Sequence, residues 1–271
     1  MSFFKHLSYL LLPLPLTTAA ATDDKSIRIG YAQCGGQAKT TPQISEKAAK
    51  LRWYFAHASV GANMVDGLND LNKKEGGSYT YSTFFCDKAP PGETKSGTVY
   101  EHNRGNPGWK TKFDQFEACV NNGWHFPKVD IVMNKLCYID QLASFKYYIR
   151  SMTNLEASFP DTVFVYMTMP LTTTQDLDNG LRNGFNDHVR AWTKENGRVL
   201  FDIADIEAHD PKGQMCTFER RSKACQKLCA DYTGDGGHLN ELGRQLVARG
   251  FYALAAAVEE RKGKTGVEAA R

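Results

Sequence analysis

Stretches of apolar residues with the length of β-strands alternate along this chain with segments of helical period. Five of these runs are rich in β-branched and aromatic residues and are predicted as strands: Arg52–Val60, Tyr79–Phe85, Val129–Ile139, Thr162–Met169 and Val199–Ile203. The segments predicted as helices are Gly61–Asn72, Pro107–Val120, Gln141–Phe159, Asn179–Glu195 and a last one that begins near Leu239. Because strands separated by helices form right-handed βαβ units, the pattern predicts an α/β protein: a three-layer α/β/α sandwich with a mainly parallel sheet.

The beginning of the chain has the layout of a secretory signal peptide. Lys5 and His6 precede an apolar run from Leu7 to Leu16, and three alanines end at Ala21. This run is too short to span a bilayer, which needs roughly twenty apolar residues. We therefore expect cleavage close to Ala21, a secreted or periplasmic protein, and no stable insertion into a membrane.

The remaining chain is expected to hold one domain. Residues 22–50 are polar and are predicted as an N-terminal extension, residues 51–260 as the domain, and residues 261–271 as a C-terminal tail. Two segments, Cys86–Asn106 and Glu207–Gly237, are predicted as loops longer than a connection requires. Both follow predicted strands, where parallel sheets place their ligands.

Composition and charge narrow the class of partner. Hydrophobic residues make up 42% of the chain, which is typical of a globular protein. Lys and Arg number 33 and Asp and Glu number 30, a net charge of +3. This balance gives no reason to expect a nucleic-acid partner.

All seven cysteines lie beyond the predicted signal peptide, so an exported chain would keep disulfides among them. We predict at least one bridge among Cys216, Cys225 and Cys229, which cluster in one long loop. A zinc site is the alternative for this cluster, but its ligand spacing is irregular. Cys137 lies in an apolar stretch and is expected to stay unpaired and buried. Neither a metal nor an organic cofactor is expected.

Ser59 lies where the first predicted strand gives way to a helix. The N-terminus of that helix offers unpaired N–H groups to a developing oxyanion, which acyl transfer needs. Serine is also a common helix N-cap, so this position alone is weak evidence for a nucleophile.

A second motif, Asp235-Gly-Gly-His238, precedes the last helix. An aspartate three residues before a histidine in a glycine-rich turn can accept a hydrogen bond from one imidazole nitrogen, while the other nitrogen faces a nucleophile. A simple turn with a capping histidine is the alternative.

Taken together, these motifs resemble those of the SGNH (GDSL-like) hydrolases. Ser59, Asp235 and His238 occupy the positions of that family's catalytic residues, and Asn103–Asn106 is similar to its glycine block. The resemblance spans about residues 52 to 258 and implies a flavodoxin-like sheet. It also implies a serine esterase without a metal, whose oxyanion hole uses the N–H groups of Ser59 and Gly105.

The third block of the family departs from this pattern. Its Gly-x-Asn-Asp would fall on Cys137–Asp140, which places Ile139 where the oxyanion-hole asparagine is expected. Asn63, Asn106 or Asn134 could supply the amide instead, and the sequence does not choose among them.

Three further residues are candidates for contact with the substrate or oxyanion. His57 is two residues before Ser59, so both face the same way if the strand continues, and His57 is a rival general base. No acid adjacent to it in sequence would orient its ring, which favours a structural or substrate-contacting role. Tyr138 and Asp140 lie at the end of the third predicted strand, on the expected functional edge.

The predicted function is a secreted serine esterase that removes small acyl groups from carbohydrate, with a small-molecule or polysaccharide ester as substrate. A catalytically silent carbohydrate-binding module and an acyltransferase on the same fold are the alternatives.

Overall fold

In the computed structural model, the described residues are 26–35, 41–75, 80–83, 86, 94–122 and 129–269. The predicted signal peptide, residues 1–21, lies outside them. The strands of the main sheet are β1 (Ile27–Ile29), β2 (Arg52–His57), β3 (Thr80–Thr83), β4 (Thr98–Asn103), β5 (Ile131–Asn134), β6 (Val163–Met167) and β7 (Val199–Phe201). They lie in the order β1-β7-β6-β5-β2-β4-β3, and every neighbouring pair is parallel.

Helices cover both faces of this sheet. They are α1 (Tyr31–Cys34), α2 (Pro42–Ala48), α3 (Val60–Glu75), α4 (Trp109–Asn121), α5 (Phe145–Ser158), α6 (Leu177–Glu195), α7 (Ile203–Glu207) and α8 (Glu241–Ala269). A separate antiparallel hairpin pairs β8 (Thr217–Arg220) with β9 (Lys223–Gln226). Two short 3₁₀ turns, Tyr138–Asp140 and Ala230–Tyr232, follow β5 and precede α8.

The alternation of side chains along β2 shows why both faces need a helical layer. Trp53 and Phe55 are buried in one apolar cluster, with α3 and α8. Tyr54 and Ala56 are buried in the other, with α4, α5 and α6. Because successive residues of a strand point to opposite faces, the uninterrupted apolar run Trp53–Ala56 must be covered on both. The predicted α/β/α sandwich is confirmed.

The order of the strands also predicts where a ligand-binding crevice lies at the edge of the sheet. The five strands β4-β2-β5-β6-β7 have the flavodoxin-like arrangement. From β2 the chain continues to β3 and β4 on one side, whereas from β5 it continues to β6 on the other. The carboxyl ends of β2 and β5 therefore flank the point where the connections diverge, which is where open α/β sheets bind ligands.

Several sequence predictions need correction. Residues 22–50, predicted as an extension, contribute edge strand β1, which pairs with β7. The predicted loop Cys86–Asn106 contains β4, and the predicted loop Glu207–Gly237 contains the β8–β9 hairpin. These strands have three to six residues and carry charged side chains, so no apolar run marks them.

Two boundaries also differ from the prediction. The strand predicted over Val129–Ile139 ends at Asn134: the Lys135 N–H still donates to the Ala56 carbonyl of β2 at 3.0 Å, and the chain then leaves the sheet for the Tyr138–Asp140 turn. Helix α8 continues to Ala269, beyond residue 260, so residues 261–269 of the predicted tail are helical.

Two disulfides link described residues, Cys86–Cys119 and Cys216–Cys229. The second confirms the predicted bridge in the long loop. Cys34, Cys137 and Cys225 are free and buried, as expected for Cys137. Among the described residues, no helix is both long and apolar enough to cross a membrane.

Candidate active site

Ser59 sits in a sharp turn between β2 and α3. Its φ of 55° lies in the left-handed region, which costs a residue with a side chain about 1 to 3 kcal/mol. The following turn is tight, because a Cβ on Gly61 would lie 2.3 Å from the Cβ of His57. Glycine at position 61 thus lets the helix start directly beside the strand, with Ser59 at its N-terminus.

The Ser59 hydroxyl meets an imidazole from a distant part of the chain. Ser59 Oγ lies 2.6 Å from His238 Nε2, and His238 Nδ1 lies 2.7 Å from Asp235 Oδ2. The other oxygen, Asp235 Oδ1, accepts hydrogen bonds from the backbone N–H groups of His238 at 2.8 Å and Gly237 at 2.9 Å. These backbone bonds, together with the His238 side chain, hold the pKa of Asp235 well below its ordinary value. The carboxylate is therefore ionised and fixed against the ring.

The loop that carries Asp235 and His238 is attached to the domain on two sides. Asn63, in the first turns of α3, accepts a hydrogen bond from the Leu239 N–H through its Oδ1 at 3.1 Å. Thr173 donates its N–H to the Gly236 carbonyl at 2.9 Å. Asn63, a sequence candidate for the oxyanion hole, is thus engaged in holding the histidine loop against the helix that begins after Ser59.

Tyr138 packs directly against the Ser59–His238 pair. Its ring meets the imidazole of His238 edge-on, with 5.7 Å between centroids, and a Cβ on Gly237 would lie 3.0 Å from the ring. Burial and the charge of Asp235 raise the pKa of Tyr138, while a hydrogen bond with the Ser59 hydroxyl acts in the opposite direction. Tyr138 is therefore a neutral phenol whose hydroxyl lies beside the serine.

Arg182, which the sequence analysis missed, holds Tyr138 in place. Its Nε donates to the Tyr138 carbonyl at 2.6 Å, and its Nη1 donates to Thr172 Oγ1 at 2.9 Å and Asn179 Oδ1 at 3.0 Å. Arg182 lies in the middle of α6, where an arginine more often faces solvent, so no local pattern marks it.

Gly105 comes to the same edge of the sheet as Ser59. His57 is in register with Asn103, so Ser59 and Gly105 each lie two residues beyond this pair. Gly105 has a φ of 70°, and its N–H is only weakly engaged, 3.4 Å from Asn103 Oδ1. Asn106 follows as an exposed residue.

Two other candidates for contact with the substrate or oxyanion, Asn134 and Asp140, are buried within the protein. Asn134 is 1% exposed, in register with Ala56, and its side-chain nitrogen and oxygen have no hydrogen-bond partner among the described residues. Asp140 is 3% exposed; it forms an ion pair with the fully buried Lys112 and accepts the Cys137 N–H at 2.7 Å. These contacts assign Asp140 to holding the loop after β5 rather than to the substrate.

His57 has a separate partner. Its Nε2 lies 2.9 Å from Glu101 Oε2, and its ring stacks on Phe55 with 4.7 Å between centroids. Burial lowers the pKa of His57 despite the opposing effect of Glu101. Burial by itself would raise the pKa of Glu101, but hydrogen bonds from His57 and Thr83 outweigh it and the pKa is lowered. The pair is thus a neutral imidazole that donates to a carboxylate.

One group of side chains has atoms of the kind that bind metals. Cys86, His102 and Cys119 bring their ligand atoms within 4.8 Å of one another. The two sulfurs are joined in a disulfide, so they offer no thiolates to an ion. The group is separate from the Ser59 site.

The sequence matches no family model, and no curated protein matches it. Solved structures resemble the fold at low sequence identity. A proposed acylhydrolase from Bacteroides fragilis has 11% identity and a TM-score of 0.47, covering 83% of this chain and 97% of that one. A proposed lipolytic protein of the G-D-S-L family from Desulfitobacterium hafniense has 8% identity and a TM-score of 0.45, covering 74% and 98%. A mutant acetyl-xylooligosaccharide esterase from Geobacillus Stearmophilus has 12% identity and a TM-score of 0.43, covering 82% and 96%.

Proposed function

We propose that this protein is a secreted serine esterase that removes small acyl groups from carbohydrate. The observation that carries the proposal is the continuous chain of hydrogen bonds from Ser59 through His238 to Asp235. This is the arrangement that activates a serine hydroxyl for acyl transfer.

In the proposed reaction, Ser59 Oγ attacks the ester carbonyl while His238 Nε2 takes its proton. Asp235 holds the ring orientation and stabilises the imidazolium that forms. His238 then gives the proton to the leaving alcohol, and an acyl group remains on Ser59. Water, activated by the same imidazole, releases the acid and restores the serine.

The oxyanion is proposed to form between the N–H of Ser59 and the N–H of Gly105, with the Tyr138 hydroxyl as a third donor. Asn63 is occupied by the Leu239 N–H, and Asp140 by Lys112. Asn134 lies below the edge of the sheet. Tyr138, by contrast, is a neutral phenol next to Ser59, so it can donate a hydrogen bond to a charge that develops there.

The candidate site is exposed to solvent, which is compatible with an ester whose alcohol part is large. The side chain of His238 is 43% exposed and that of Asp235 is 58% exposed, so a sugar polymer can approach from solvent without entering a closed pocket. A small acyl group requires little more than the space around the serine. An acyltransferase remains the second candidate, because the same openness admits a sugar hydroxyl in place of water.

The test is a fluorophosphonate probe followed by acetylated glycans. We expect the mature protein to be labelled at Ser59 and to release acetate, whereas Ser59→Ala does neither. Ser158→Ala is a matched control, because Ser158 is exposed and its hydroxyl donates to the Asn154 carbonyl in the same helix. Absence of labelling in the folded wild-type protein would favour the silent binding module. Transfer of acetate to added sugars in preference to water would favour the acyltransferase.

Export is tested on the same material. The proposal expects mass spectrometry of the secreted protein to find a mature chain that begins close to residue 22, whereas a chain that still starts at Met1 would contradict it.

A further inference from the structure

The Cys86–Cys119 disulfide lies within a cluster of hydrogen-bonding side chains. The Tyr54 hydroxyl is 3.1 Å from Cys119 Sγ and 3.4 Å from Cys86 Sγ. His102 Nδ1 is 3.0 Å from the Tyr54 hydroxyl and 3.3 Å from Cys86 Sγ. A histidine and a phenol thus lie within hydrogen-bond distance of the sulfurs of this bond.

A cavity of about 370 Å³ lies beside this bridge. Its wall includes both cysteines, His102 and Arg104. Cys86 is partly exposed, whereas Cys119 is only 3% exposed. Of the two cysteines that line the cavity, Cys86 is the more exposed, so a small molecule that enters it reaches Cys86 more readily than Cys119.

The second disulfide provides the comparison. Cys229 is completely buried, and Cys216, which is partly exposed like Cys86, packs against the apolar cluster on the α3 and α8 side of the sheet, so the two bridges differ in the groups around the sulfurs. Backbone hydrogen bonds hold both cysteines of this second bridge. The Cys216 N–H donates to the Ala208 carbonyl at 2.7 Å, and the Cys229 N–H donates to the Glu207 carbonyl at 3.0 Å. These contacts stabilise a bridge but do not assist its opening.

We propose that Cys86–Cys119 is a modification site, where a small thiol that enters the cavity exchanges with the disulfide and becomes attached to Cys86. The inference does not depend on the esterase reaction. It rests on which sulfur is accessible and on the hydrogen-bond donors that surround the sulfur that leaves.

The exchange proceeds by attack of the external thiolate on Cys86 Sγ. A new sulfur–sulfur bond forms there, the Cys86–Cys119 bond breaks, and its electron pair goes to Cys119 Sγ. The Tyr54 hydroxyl donates to this thiolate, and the Nδ1–H of His102 can donate in turn to the phenol oxygen. Hydrogen-bond donors and the nearby positive charge of Arg104 lower the pKa of a leaving thiol, which speeds its departure. A second external thiol then attacks the mixed disulfide, and the external thiols supply the two electrons that reduce the bridge.

Reduced glutathione is the probe for a test on the mature protein. After timed exposure the reaction is quenched with acid, free thiols are alkylated, and peptides are mapped by mass spectrometry. We expect the adduct on Cys86, alkylation on Cys119, and opening of this bridge about tenfold faster than that of Cys216–Cys229. An adduct mainly on Cys119, or equal rates for the two bridges, would overturn the proposal.

The buried free thiols show whether the protein stays folded during the exchange. Cys34 and Cys225 are buried, so they should resist a brief pulse of alkylating reagent given before the quench. If they are alkylated in step with Cys119, exchange proceeds through unfolding and the proposed site is wrong.

A variant tests the donor to the leaving sulfur. Tyr54→Phe should slow exchange at Cys86 by about tenfold relative to Cys216–Cys229 in the same sample. Tyr252→Phe is the matched control, since its buried hydroxyl contacts Asn72 Oδ1 at 2.8 Å on the other face of the sheet; it should leave the ratio unchanged. If Tyr54→Phe does not fold, His102→Gln tests the same donor chain at a partly exposed position. An unchanged ratio in the variant that folds would contradict the mechanism.

Discussion

Two histidine–carboxylate pairs lie close together at the ends of the central strands. In one, His238 Nδ1 is 2.7 Å from Asp235 in a loop, and in the other, His57 Nε2 is 2.9 Å from Glu101 on the neighbouring strand. The His238 side chain is 43% exposed and its second nitrogen contacts the Ser59 hydroxyl. The His57 side chain is 1% exposed and its second nitrogen, Nδ1, has no hydrogen-bond partner among the described residues.

The contrast teaches that an oriented imidazole is not enough to make a general base. Both rings have an acid that fixes their orientation. Of the two, only His238 also has a serine hydroxyl at its second nitrogen and a side chain that is open to solvent. His57 is instead buried against Phe55, Glu101 and the start of α3, away from solvent. We therefore propose His238 as the general base and a structural role for His57.

The largest expected effect comes from the exposed pair and its serine. Ser59→Ala and His238→Ala should each lower turnover of an acetyl ester by several orders of magnitude, because attack and proton transfer act as one unit. The double variant should be hardly worse than either single one. A His238→Ala protein that keeps appreciable turnover would remove the distinction between the two pairs. Thermal unfolding of each variant checks that the fold is retained.

Asp235→Ala should cost somewhat less than loss of His238. The serine and imidazole remain, but the ring loses the carboxylate that selects its tautomer and stabilises its positive charge. Turnover of the same acetyl ester measures the loss, and Asp231→Ala, a nearby exposed aspartate, is the control. Equal turnover in these two variants would contradict the role of Asp235.

Tyr138→Phe should lower kcat by about 10- to 100-fold and leave KM nearly unchanged, since a donor to the oxyanion acts mainly in the transition state. The ring and its contact with His238 are retained, so a purely packing role predicts little change. Tyr147→Phe, an aromatic residue of α5 whose hydroxyl contacts Asp114, is the control. A larger KM with unchanged kcat would instead assign Tyr138 to substrate binding.

The smallest effect on turnover is expected for His57→Gln, which should change kcat less than tenfold while it destabilises the fold. The buried neutral imidazole has a lowered pKa, so its contribution to stability is full above the ordinary histidine pKa of about 6.5 and is lost as pH falls below it. The difference in the free energy of unfolding between wild type and variant should therefore narrow from pH 8 to pH 5. If His57→Gln lowers turnover as much as Ser59→Ala, His57 is the base and the comparison is reversed.

The local spacing of residues was sufficient to predict the α/β/α fold class and the contact between Asp235 and His238. Apolar runs of strand length alternate with helical periods, and this pattern depends only on neighbours in sequence. An aspartate three residues before a histidine in a glycine-rich turn is likewise a local arrangement. The serine at the end of the first long strand could be recognised because a strand and a helix meet there.

Tertiary structure alone decided the contacts between distant segments. Glu101 lies 44 residues from His57 in sequence, and the parallel register of β2 and β4 brings them together. Arg182 reaches Tyr138, and Cys86 bonds to Cys119, only because helices pack beside the sheet edge. Strands β1 and β4 owe their place to hydrogen bonds with neighbouring strands rather than to an apolar pattern of their own. Such contacts depend on strand order and on packing across the whole domain. A short stretch of neighbouring residues contains no information about either.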